Sequence, residues 1–210
     1  MNVTNCLFER VNVTMEGANF AISPTFRNCT FYGGALSLDQ ENGGTWTFLD
    51  NLFDKTAVTN YGSVPLTADY NGYMTNQTRI TPTGAHDVIS ASTDVGYQTS
   101  WYSRFYLPTN SVFVDKASVT DASTLGFYWH TTFTNQTREL TNRLDLGFHL
   151  LARDSSGNLI DGDLDGLIDG LDEDRNGNGK LDSGETDWTS ATDWGLRVQI
   201  TNPKANSNIP

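Results

Sequence analysis

Along the first third of the chain, apolar and polar residues alternate in short runs such as Val11-Asn12-Val13-Thr14 and Thr45-Trp46-Thr47-Phe48. Alternation with a period of two marks a strand with one buried face, and nowhere does the chain sustain the 3.6-residue apolar period of a helix. Between the runs stands a recurring tetrad: Asn5-Cys6-Leu7-Phe8, Asn28-Cys29-Thr30-Phe31 and Asp50-Asn51-Leu52-Phe53, with a weaker copy in Asn71-Gly72-Tyr73. The first two lie 23 residues apart, and the third follows 22 residues later.

A period of that size predicts a solenoid, whose repeats run to ~20–30 residues. One turn of a parallel β-helix has this length, and coils stacked at ~4.8 Å bring equivalent residues into ladders. An Asn at a tight turn can then bond to the Asn above and below, and the Phe three residues on can stack inside the coil. Cys6 and Cys29 fall at equivalent places, so they are expected as neighbouring thiols, neither metal ligands nor a disulfide framework. The alternative is an ordinary β-sandwich carrying a chance repeat. From about Thr75 to Ala152 the repeat fades, but strand-like runs remain at Ser111 to Val114, Leu125 to Thr131 and Leu144 to Leu151. The pentapeptide Thr-Asn-Gln-Thr-Arg occurs at Thr75 to Arg79 and again at Thr134 to Arg138. Aromatic rings gather at Tyr97, Trp101, Tyr102, Phe105 and Tyr106, and at Phe127, Tyr128 and Trp129. Core packing is their expected fate, with stacking on sugar faces the alternative.

Composition narrows the class. At 210 residues the chain can bury one good core, or a main domain with a smaller appendage. It is rich in Thr, Asn and Gly, which suits strands joined by many tight turns. Five Asn-x-Thr sequons, at Asn2, Asn12, Asn28, Asn76 and Asn135, are expected to reflect that composition more than glycosylation. The net charge of −12 is concentrated: from Asp161 to Asp187 ten acidic residues face only Arg175 and Lys180. Nucleic acid is not an expected partner, because phosphate binding needs a basic face. No segment is long and apolar enough to insert in a membrane.

The acidic block has a spacing. Asp161 to Asp172 and Asp174 to Glu185 are twelve-residue loops with oxygen side chains at positions 1, 3, 5, 9 and 12, Gly at position 6 and an aliphatic residue at position 8. This is the ligand spacing of EF-hand calcium loops. Calcium takes ~6–8 hard oxygens, so alternate residues of a tight loop must turn Asp or Asn inward. The expected metal ligands are Asp161, Asp163, Asp165, the Leu167 carbonyl, Asp169 and Asp172 in the first loop. In the second they are Asp174, Asn176, Asn178, the Lys180 carbonyl, Asp182 and Glu185. The cofactor expected is Ca2+, and the competing reading is an acidic disordered linker.

Two resemblances follow from these residues. Asn28-Cys29-Thr30-Phe31, Val114-Asp115-Lys116-Ala117-Ser118 and Leu144-Asp145-Leu146-Gly147-Phe148-His149 resemble the C-terminal coils of right-handed parallel β-helix (pectin-lyase-like) surface proteins of bacteria. The loops, separated by Glu173 alone, resemble thrombospondin type 3 repeats, in which Asp-rich loops wrap rows of calcium ions with little regular secondary structure. A dockerin-like module is the runner-up. The first resemblance implies bacterial origin and a cell-surface or extracellular place. It also implies a polysaccharide or another surface protein as partners beside calcium ions.

No catalytic residues are expected. Glycosidic hydrolysis needs two positioned carboxylates, and nothing singles out a pair among Glu9, Glu16, Asp39, Asp50, Asp54 and Asp69. His86-Asp87 near Ser90 lacks a nucleophile elbow. The expected fold is all-β: right-handed parallel β-helix rungs over 1–74, a β-rich cap or final coils over 75–155, and an irregular calcium-binding segment over 156–190. Residues 191–210, with Leu196 to Ile200, are expected to form a strand and linker towards a following immunoglobulin-like module. The expected function is that of a calcium-ordered connector in a large secreted or surface protein, of which this chain is a piece. The alternative is the C-terminal part of a carbohydrate-active β-helix enzyme, a lyase or hydrolase, whose catalytic coils lie upstream.

Overall fold

The computed structural model describes residues 1–17, 23–40, 44–61, 66–100 and 102–195; the strand expected from Leu196 lies outside the described residues. Chain direction repeats coil by coil. The first coil is β1 (Asn2–Thr4), β2 (Leu7–Glu9) and β3 (Asn12–Gly17), and the second is β4 (Thr25–Arg27), β5 (Thr30–Tyr32) and β6 (Ala35–Gln40). The third is β7 (Trp46–Leu49), β8 (Leu52–Asp54) and β9 (Ala57–Tyr61), followed by β10 (Leu66–Asp69), β11 (Gly72–Met74) and β12 (Val88–Ser90). These strands form three parallel sheets, ordered β1-β4-β7-β10, β2-β5-β8-β11-β12 and β3-β6-β9. The all-β parallel architecture expected from the repeat is the one present.

Register explains the tetrads. Phe8 pairs with Phe31, Phe31 with Phe53 and Phe53 with Tyr73 across neighbouring coils. Their rings stack nearly parallel, with centroids 4.6, 4.9 and 5.1 Å apart. A second column stacks Phe26 on Phe48 at 5.1 Å. Each such pair contributes ~0.5–1.5 kcal/mol beyond its burial, so the columns hold the coils in register. The asparagine ladder sits one position away from the place expected for it. Asn5, Asn28 and Asp50 take positive φ (54°, 49° and 61°) at the corner after the first strand of each coil. Asn and Asp tolerate that region better than other side-chain-bearing residues. The internal ladder runs instead in the next column, Cys6, Cys29, Asn51, Asn71. There Asn51 Oδ1 accepts from Cys29 N at 3.0 Å, and Asn71 Oδ1 accepts from Asn51 N and Nδ2, both at 3.0 Å. The amide nitrogens of Asn51 and Asn71 donate to the carbonyls of Phe26 and Phe48. Cys6 and Cys29 are free, and burial pushes the Cys29 thiol up to about 12, which keeps it protonated and unreactive.

After Ser90 the chain folds back along the side of the coils. Gly147 N donates to Asp50 O, Phe148 N to Thr30 Oγ1 and His149 N to Asn5 Oδ1, at 3.0, 2.9 and 2.7 Å. Three consecutive residues thus step across three coils. Gly147 (φ 93°) must be glycine here, because a Cβ would lie 2.6 Å from Thr30 Oγ1 and 2.9 Å from Leu52 Cβ. Asp50 fixes a second crossing: its carboxylate accepts from Ser118 N and Oγ and pairs with Arg27 at 3.1 Å. The strand-like runs of the middle region are largely not strands. Ser111 to Val114 forms turns, and Ala122–Leu125 is a 3-10 turn capped by Asp121. From those runs, β13 (His130–Thr131) and β14 (Leu150–Leu151) pair antiparallel. Those runs are apolar because Phe113, Ala122, Phe127, Leu144 and Leu146 pack in one cluster with Leu52. Of the clustered rings, Phe105, Tyr106, Phe127 and Trp129 are buried and Tyr102 is exposed; Trp101 lies outside the described residues.

A polar network lies inside this flank. Asp145 accepts from Asp115 N at 2.7 Å and from the Thr132 hydroxyl, and His149 Nε2 lies 3.2 Å from Glu139 Oε1. Burial first, and Glu139 second, hold the Asp145 carboxyl above its ordinary range. Burial, and then the His149 ring, push the His130 imidazole down to about 4.

Two outcomes follow. Asn51→Ala strands the N–H of Cys29 and the carbonyl of Phe26 inside the coil, and should cost about 2–4 kcal/mol in urea unfolding. His130 is held neutral, so between 6.5 and 4 the folded chain binds fewer protons at this group than the unfolded chain. Its contribution is therefore full above that window and is lost as pH falls through it, whereas Asp145 acts oppositely. A His130→Gln variant should lose less stability than the parent over that fall. Equal losses would show that His130 is not held neutral.

Candidate metal centre

The two acidic loops lie against the flank. Asp161, Asp163 and Asp165 come together, with one carboxylate oxygen of each within 4.8 Å of the others. Local backbone bonds arrange this. Asp161 accepts from Leu164 N (2.8 Å) and Gly166 N (3.1 Å), Asp163 Oδ1 from Asp165 N, and Asp165 Oδ1 from Leu167 N. Each bond folds the loop around its own side chain, as Asp does in a tight turn. They leave Asp163 Oδ2 and Asp165 Oδ2 buried without a hydrogen-bond partner. Asp169 is also buried, accepts from Gly162 N at 2.7 Å, and is raised by desolvation above the carboxylate range.

The first loop closes in a single π-helical turn, Asp169–Glu173, in which Asp169 and Glu173 face inward. Asp172 is exposed and accepts from Ile168 N at 3.1 Å. Glu173, which the loop count passes over as a separator, is fully buried, and neither of its carboxylate oxygens has a hydrogen bond. The Thr186 hydroxyl lies beside it, but not in bonding geometry. Burial above all, with the charges of Asp163, Asp165 and Asp169, pushes Glu173 up to about 7. The π turn stands alone, with no α-helix on either side, and nothing in the one-dimensional spacing announces it.

The second loop is joined by its own bonds. Asp174 is fully buried and accepts from Asn178 N and Gly179 N at 3.0 and 2.6 Å. Asn176 Oδ1 accepts from Asn178 N, and Asn178 Oδ1 from Lys180 N. Both side-chain amides donate to Asp182 Oδ2, at 2.9 and 2.7 Å, which holds that carboxyl below its usual range. Glu185 spans the loop, with Oε1 accepting from Asn176 N and Oε2 from Asp182 N. All five expected side chains of this loop therefore meet in one network.

The flank holds the loops through Trp129. Its indole N–H donates to Asp174 Oδ2 at 2.7 Å, and its ring meets Trp188 edge-on at 5.9 Å. Tyr128 N donates to Gly177 O, and a Cβ on Gly177 (φ 67°) would fall 2.3 Å from the carbonyl oxygen of Gly126. Only glycine allows the loop that close. The donor set suits a hard divalent cation: carboxylates and amide oxygens, no sulfur or imidazole, and orphaned buried oxygens on Asp163 and Asp165.

The fragment His86, Asp87 and Ser90 is not assembled as a triad. His86 Nδ1 pairs with Asp69 at 2.8 Å, and Asp87 pairs with Arg79 at 2.9 Å. No helix of the described residues is long and apolar enough to cross a membrane. No family model, curated protein or solved structure matches this chain.

Trp129→Phe keeps the ring and removes the donor to a buried carboxylate. It should lower stability by about 1–3 kcal/mol in urea unfolding. Trp188→Phe, which keeps an aromatic ring edge-on to Trp129, should cost less. The reverse order would mean that the indole hydrogen bond does not anchor the loop.

Proposed function

We propose that the chain is a calcium-binding structural segment of a larger secreted or cell-surface protein. In this reading calcium orders residues 161–185 and fastens them to the flank of the parallel coil. The observation that carries it is the pair of buried, unbonded oxygens on Asp163 and Asp165 beside the carboxylate of Asp161. In the metal-free chain these groups oppose one another where water does not reach them, and a divalent cation relieves both burdens at once. Calcium suits the set better than magnesium, which keeps several waters and demands near-ideal octahedral geometry.

The chain's residues divide the work. Asp161, Asp163, Asp165 and Asp169 gather the first ion, and Asp174, Asn176, Asn178, Asp182 and Glu185 gather the second. Carbonyls of Leu167 and Lys180 complete the loops by position. Trp129 and Tyr128 orient the second loop through Asp174 and Gly177. Metal binding and ordering are then one process, because the ligands must be deprotonated and brought together against their own repulsion. At extracellular calcium levels, sites of ~10⁻⁴–10⁻³ M affinity suffice for a mechanical role.

Calorimetric titration with calcium tests this. One ion per loop is expected, with Asp165→Asn weakening the first site and Glu185→Gln the second, while far-UV circular dichroism shows both variants folded. Absence of heat at millimolar calcium would return the acidic segment to a simple polar surface.

A further inference from the structure

We propose that Glu173 is the closing ligand of the first metal site, in the place the loop spacing gives to Asp172. This rests on the calcium reading of that loop and adds a residue to it. Three observations carry it. Glu173 is fully buried, and both of its oxygens lack a hydrogen-bond partner, an expensive arrangement for any carboxylate. It lies in the same loop as Asp163, Asp165 and Asp169, whose charges act on it, and two of these carry orphaned buried oxygens of their own. Arg138, a cation that acts on Asp169, has its guanidinium 4.6 Å from the Trp129 ring centroid. Finally, the π turn Asp169–Glu173 turns Asp172 outward, where its carboxylate is bonded to Ile168 N.

The chemistry fits the longer side chain. The last ligand of a calcium loop closes it bidentately, and glutamate reaches where aspartate falls short. Glu173 also immediately precedes Asp174, which Trp129 holds at 2.7 Å. Ligands of the two ions then occupy consecutive residues. An ion in the first loop fixes the backbone that opens the second, so the sites fill with positive coupling.

The test titrates the whole chain with calcium chloride by calorimetry, comparing the parent with Glu173→Gln, Glu173→Asp and Asp172→Asn. Removing a metal-bound carboxylate should cost at least the ~10–100-fold that losing an outer-shell partner costs. Glu173→Gln, neutral and of the same shape, should therefore weaken one of the two sites by about tenfold or more. Glu173→Asp, which keeps the charge but shortens the reach, should weaken the same site, and Asp172→Asn should leave both within about twofold. A parent-like titration for Glu173→Gln, or loss of the site in Asp172→Asn alone, would overturn the assignment while leaving the calcium reading intact. A parent chain that takes up no calcium would overturn both.

Discussion

At one corner of three successive coils, Asn5, Asn28 and Asp50 turn the chain with positive φ and hold hydrogen-bonding groups outside the ladder. The rest of the described chain is built on that column. The corner residues keep backbone bonds to the next coil, Asn5 N to Arg27 O and Asn28 N to Leu49 O, while their side chains reach the crossing chain, Asn5 Nδ2 at His149 O and Asn28 Nδ2 at Asp145 O. Gly147, Phe148 and His149 supply donors one coil at a time, and Ser118 and Arg27 close on the carboxylate of Asp50. Long-range bonds of this kind, from His149 back to Asn5, tie the flank to the first coil.

That column also positions the acidic loops. The flank it holds carries Gly126, Tyr128 and Trp129, and these meet the second loop at Gly177 and Asp174. The dependence runs from coil corner to crossing chain, from crossing chain to indole, and from indole to carboxylate. A connector swinging free between modules would need no such docking. Calcium bound here would stiffen the joint between coil and loops, because the second loop is already attached to a rigid side.

The repeating part of the architecture was legible because stacked coils write their ladders into the sequence. The columns Phe8–Phe31–Phe53–Tyr73 and Cys6–Cys29–Asn51–Asn71 are readable as spacing alone. The exact column for the asparagine ladder was not, since Asn serves both as a left-handed corner and as an internal amide, and composition does not separate the two. In the flank, apolar runs such as Ser111 to Val114 resemble strands but pack through turns, because a surface against a solenoid side buries residues without a ladder. The loops show their twelve-residue acidic spacing plainly. Glu173 is not marked by that spacing, because its burial comes from the π turn and a count of loop positions places it between the loops.

The two loops differ in what they can do without metal. In the second, the amides of Asn176 and Asn178 donate to Asp182 and the loop backbone donates to Glu185, so its acids are matched by N–H groups. Asparagine can present either end of its amide, and rotating it turns a donor towards Asp182 into an oxygen for an ion. The first loop has aspartates at the same positions, and a carboxylate has no N–H to offer. One oxygen each of Asp163 and Asp165, and both oxygens of Glu173, stay unbonded. Asn in place of Asp at positions 3 and 5 thus gives the second loop side-chain N–H donors that the first loop lacks. On the calcium reading, the second loop is a preformed platform on Trp129, and the first is the element whose order the ion controls.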